Sequence, residues 1–178
     1  MPFDIITIEP TTVDGGHAAG DVFFNLTKVE LPARSCKLVS VFAECAGTAA
    51  DVSDVKIGIL FFKKNTTTSL GTLDATADIT HANFTANEYI GQTFLGFHNG
   101  AAELDVDVID TMYFLYPCSW SADTGATGED GEHLSVFEPM VLKGDAGDGT
   151  IYAAGVIHDG VTDFDGTNNV KIHFHVEY

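Results

Sequence analysis

Apolar and polar residues exchange places at every second position through much of this chain. That is the period of a strand with one face on a core and the other toward water. Leu104-Asp105-Val106-Asp107-Val108 alternates without a break. Near the end, Val170, Ile172, Phe174, Val176 and Tyr178 share one face while Lys171, His173, His175 and Glu177 take the other. Further strands are expected over Phe3 to Ile8, Asp21 to Leu31, Cys36 to Cys45, Tyr89 to Phe97, Met112 to Tyr116, Leu134 to Leu142 and Ile151 to His158. Val55 to Phe62 is apolar on both faces, as a strand enclosed from two sides would be.

Turn chemistry punctuates these runs at Asp14-Gly15-Gly16, Asn65 to Thr68, Asn99-Gly100, Gly125 to Gly131, Asp145 to Gly149 and Asp159 to Asn169. Glycine supplies positive φ, and Asn and Asp bond their own backbone, so such clusters end strands for a physical reason. Asn99-Gly100 has the composition of a tight hairpin. Helical spacing is nearly absent; only Thr80 to Glu88 suits a turn or two, as a crossover between strands. About ten short strands with little helix predict an all-β, antiparallel β-sandwich, jelly-roll-like, in a single domain over residues 1–178.

Composition agrees and adds charge. Aromatics make up 11% of the residues, enough for a packed core, and 26 acidic residues against 8 basic give a net charge of −18. Such a surface repels phosphate backbones and anionic lipid, so neither nucleic acid nor membrane is an expected partner. The acidity suits solubility, a salty medium or a basic partner. The opening Met1-Pro2-Phe3-Asp4 lacks the basic start of a secretion leader, and no apolar run approaches the ~20 residues that cross a bilayer, so a soluble protein is expected. Cys36 and Cys45 lie nine residues apart on one expected strand, which puts their side chains on opposite faces. With Cys118 they lack any C-x-x-C spacing and are read as small buried hydrophobes.

Candidate chemistry is sparse. His173 and His175, at i and i+2, have a spacing that brings two imidazoles to one metal, and His158 joins them if the last two strands pair. The bland alternative is a polar strand face. Asp159, Asp163 and Asp165 sit in an oxygen-rich loop that suggests calcium, although Asp163-Phe164-Asp165-Gly166 has its glycine too early for an EF-hand. Asp123, Glu129, Asp130 and Glu132 form a similar acidic cluster. An acidic hairpin loop is the commoner origin of such clusters. No G-x-S-x-G, phosphate loop or helper beside a cysteine is present, so no catalytic residue and no obligatory cofactor is expected, and the chain reads as a non-enzyme.

Three stretches carry a resemblance. Leu31-Pro32-Ala33-Arg34 leads into Leu38-Val39-Ser40-Val41, a small polar loop and Val55-Lys56-Ile57-Gly58-Ile59-Leu60-Phe61-Phe62. Leu70-Gly71-Thr72-Leu73-Asp74 precedes Asp78-Ile79, an Asn/Ala segment and Tyr89-Ile90-Gly91. Thr150-Ile151-Tyr152-Ala153-Ala154-Gly155-Val156 precedes a turn-rich loop and a last strand ending Val176-Glu177-Tyr178. From about residue 22 onward this layout resembles a family of small β-sandwich structural proteins of tailed bacteriophages that decorate or cement the capsid. The acidic Ser121 to Glu132 loop and the segment to Gly20 depart from it.

The resemblance implies a virion structural protein on the outer capsid surface, made in the host cytoplasm. Its implied partners are the major capsid protein or other virion proteins and further copies of itself, as a trimer. Residues 1–20 then have two readings: a first strand of the chain's own sandwich, or an arm whose Phe3, Ile5, Ile6 and Ile8 contact a neighbour's sheet edge. The competing function is a sugar-binding or tail-fibre receptor-binding sandwich, for which Trp120 and Tyr116 are the aromatic candidates.

Overall fold

A computed structural model describes residues 2–46, 56–66, 69–96, 112–117, 139–145, 148–159, 162–164 and 170–178. Its strands are β1 (Phe3–Ile8), β2 (Gly15–His17), β3 (Val22–Glu30), β4 (Ser35–Ala46), β5 (Lys56–Phe62), β6 (Tyr89–Gly96), β7 (Met112–Pro117), β8 (Met140–Lys143), β9 (Thr150–Asp159), β10 (Thr162–Phe164) and β11 (Val170–Glu177). One short helix, α1 (His81–Ala86), precedes β6 and is capped by the Thr80 hydroxyl, which accepts from the Asn83 N–H. The expected strand at Leu104 to Val108, the Asn99-Gly100 hairpin, residues 134–138 and the cluster Asp123, Glu129, Asp130 and Glu132 lie outside the described residues.

The protein is an all-β sandwich of two antiparallel sheets. Hydrogen-bonded neighbours run in the order β1-β11-β4-β7-β6-β5-β9-β3, with β8 beside the start of β4. β7 turns the corner: Met112–Leu115 pair with β4, whereas Tyr116 and Pro117 pair with β6. One layer is therefore β1-β11-β4-β8 and the other β6-β5-β9-β3. Between them pack Phe24, Leu38, Val41, Ile57, Ile59, Phe61, Leu95, Ile151, Ile172 and Phe174, all essentially without exposure. Removing these side chains from water is the main favourable term in folding.

The outer faces of the two layers differ. Over β3, β5 and β9, the segment 69–88 forms a second apolar cluster, in which Leu70, Leu73, Ile79 and Phe84 cover Val22, Leu60, Phe62 and Ala154. This cover explains why β5 is apolar on both sides. Asn25 fastens it, with its amide nitrogen donating to the Gly71 carbonyl (3.0 Å) and its amide oxygen accepting from the Leu70 N–H (2.8 Å). The face of β1, β11, β4 and β8 has no such lid among the described residues.

Strict alternation fails in β4. Ser40 pairs with His175 and Leu38 with Val176, which leaves Val39 as an extra residue, a β-bulge. The bulge reverses the phase of the strand, so Cys36 and Leu38 on one side of it and Val41, Ala43 and Cys45 on the other all face the core. The expectation that Cys36 and Cys45 point to opposite faces is therefore corrected: both are buried. The breakers at Gly15-Gly16 and 162–164 also yield a structure not expected from sequence. β2 and β10 pair as a two-stranded sheet of their own, with Asp163 opposite Gly16.

Candidate interaction surface

The uncovered face is built in cross-strand rows. Phe3 pairs with Glu177, Glu177 with Lys37 and Lys37 with Val141; Ile5 pairs with His175 and His175 with Ser40; Thr7 pairs with His173 and His173 with Phe42. Residues directly opposite in an antiparallel ladder point to the same side. One surface thus carries Phe3, Ile5 and Thr7 at one border, Val141 at the other, and histidines with Phe42 between them. Phe3 is 68% exposed, Ile5 59% and Val141 64%, the most exposed large apolar side chains among the described residues.

The centre of this face is ordered by short-range chemistry. The Phe42 ring stacks on His173, with centroids 4.4 Å apart and planes 18° from parallel, and His175 meets the same ring edge-on at 5.3 Å. His173 Nδ1 lies 2.9 Å from the Thr7 hydroxyl and its Nε2 3.1 Å from Glu44 Oε1. Two rim lysines are engaged in ion pairs: Lys171 with Glu9 at 3.4 Å and Lys37 with Glu177 at 3.8 Å. Sequence reading missed Phe42, because uniform alternation would have placed it in the core with Leu38. The available signal was the doubled apolar pairs Leu38-Val39 and Val41-Phe42, which no single phase of a strand accommodates.

β1 adds an edge to this face. The Tyr178 N–H donates to the Pro2 carbonyl (3.2 Å), and Phe3 stands opposite Glu177. In an antiparallel ladder, residues alternate between turning their backbone groups toward and away from the partner. The even positions Asp4, Ile6 and Ile8 therefore bond to β11, and Phe3, Ile5 and Thr7 direct N–H and C=O outward. The Ile5 N–H confirms the parity, since it donates to Oδ1 of the adjacent Asp4 at 2.8 Å. Of the four contact candidates, Phe3 and Ile5 are exposed on this border, Ile6 packs partly against the core, and Ile8 is buried in it.

The remaining site candidates do not converge. β9 lies between β5 and β3, whereas β11 lies between β1 and β4. The two strands do not pair, and the expectation that His158 joins His173 and His175 is corrected. His158 is exposed in the other layer, edge-on to Phe94 at 5.1 Å. No group of three or more metal-ligating side chains occurs among the described residues. Of the calcium candidates, Asp159 ends β9, Asp163 lies in β10, and Asp165 lies outside the described residues. Trp120 is also outside them, and Tyr116 is described only through its backbone pairing with Gly96.

A cleft of about 550 Å³ opens beside the covered layer, lined among others by Lys28, Lys63, Lys64, Asp145, Asp148 and Tyr152. Its lysines are neutralised by neighbours: Lys28 bonds Glu30 at 2.7 Å, and Lys63 and Lys64 both bond Glu88. The Lys64 ammonium, with Lys63 behind it, holds the Glu88 carboxyl below its ordinary range. The cleft therefore offers polar groups without a net positive field. Comparison with family models, with curated proteins and with solved structures finds no match to this chain.

Proposed function

We propose that this chain is a non-enzymatic virion structural protein, a capsid decoration protein of the kind its sequence pattern resembles. It would bind the shell through the uncovered face and edge of β1, β11 and β4. The observation that carries the reading is the combination at β1: two well-exposed apolar side chains, Phe3 and Ile5, on a strand whose outward backbone groups have no partner strand among the described residues. Proteins usually blunt such edges, because they template pairing with another chain. An edge left apolar is economically explained by a partner that covers it.

The partners on this reading are the major capsid protein and further copies of the chain in a homo-oligomer, a trimer. The mechanism is passive. Non-covalent contacts bridge neighbouring capsomers, and no bond is made or broken. One six-residue strand covers less than the ~1,200 Å² at the low end of stable interfaces, so a single contact is weak. Repetition on a lattice turns weak contacts into strong retention, because each further contact is made at high effective concentration.

Quantitative mass spectrometry of purified particles from the source tests this. Many copies per particle, in fixed ratio to the major shell protein, are expected. A few copies would assign the chain to the tail, and its absence from particles would overturn the virion reading.

A further inference from the structure

We infer that the β1 edge takes an extended, basic strand from a different protein, added along Phe3 to Thr7, and does not take a second copy of this chain. The inference rests on the assembly reading above and names its partner. Backbone parity sets the mode of binding: the outward N–H and C=O groups of Phe3, Ile5 and Thr7 form a ladder for one more strand. The side chains of the same three residues stand on the uncovered face, where alternate residues of an added strand meet them.

Charge selects the occupant. A β1-to-β1 pairing would bring together two bodies of −18 each. On and beside β1, across β11 to β4, Asp4, Glu9 and Glu177 outnumber Lys37 and Lys171, both already held in ion pairs with Glu177 and Glu9. Asp4 also occupies the Ile5 N–H, the central donor of the edge. A like-charged strand must displace that carboxylate against repulsion, whereas a lysine or arginine on an incoming strand draws it away and frees the donor. The arrangement thus opposes self-pairing and favours a basic strand.

Residue-resolved hydrogen exchange on the full chain tests this with two synthetic nine-residue peptides, one alternating Lys with Val and one alternating Glu with Val. The Lys peptide is expected to slow exchange at least tenfold at the amides of Phe3, Ile5 and Thr7. Asp4, Ile6 and Ile8, already bonded to β11, should not change, and the Glu peptide should have no effect. Two results would overturn the inference: no protection from the Lys peptide, or the same three amides becoming protected in the chain alone as its concentration rises. Particle stoichiometry is read separately. Abundance in particles without peptide protection sinks the strand-addition inference alone, and protection without presence in particles sinks the virion reading alone.

Discussion

Single residues set local tolerances that can be measured. Gly155 lies opposite Phe24, and a Cβ placed on it would overlap the Phe24 ring. That ring is fully buried, so it has no solvent to swing into. Gly155→Ala is therefore expected to destabilise the fold by about 1–3 kcal/mol, the range for overpacked cores. A lowered urea midpoint with an unchanged slope checks this, and an unchanged midpoint would show that the core gives way freely. The two buried thiols behave differently from a surface cysteine. Burial, reinforced by Glu44, pushes the Cys45 thiol far up, and burial also raises Cys36. Reactivity belongs to the thiolate. In a Cys118→Ser background, a thiol reagent at pH 8 should find no reactive group in the native protein and two after denaturation.

Elements show how far pattern reading reaches. β1, β9 and β11 were legible because apolar positions recur at the strand period, and β5 because a doubly enclosed strand is apolar throughout. Helix α1 was legible from Thr80 and the small residues after it. β2 and β10 were not, because each is three residues long and exists only through pairing with the other, a long-range fact that local composition does not carry. The Val39 bulge was illegible for a related reason: its register is fixed by β11, more than 130 residues away. Candidate sites fared accordingly. Of the contact candidates Phe3, Ile5, Ile6 and Ile8, the first two are exposed, whereas the place of Phe42 depended on the bulge and the His158 grouping on which strands pair. Deleting Val39 brings Leu38 directly next to Ser40, opposite Val176 and His175, so Cys36, Leu38, Val41, Ala43 and Cys45 all keep facing the core in one regular phase. The deletion is therefore expected to cost less stability than Gly155→Ala, measured by the same urea titration. A larger loss would mean that the local twist imposed by the bulge is itself needed to pack β4.

At the scale of the whole molecule, the asymmetry between the two layers matters most. Segment 69–88 covers one sheet with a second apolar cluster, while the other sheet presents Phe3, Ile5, Phe42 and Val141 without a lid among the described residues. Two-layer sandwiches bury their inner faces alike, and what distinguishes their outsides is what the intervening segments do. Here the longest described connection is spent on a single side. The molecule consequently has an upper and a lower surface. Held by its bare sheet, it would present α1 on the opposite side, with His81, Ala82, Thr85 and Ala86 exposed. A peptide grafted into that helix would then face the medium in every copy so held, so the chain would serve as a one-sided display tile, with attachment on one surface and cargo on the other.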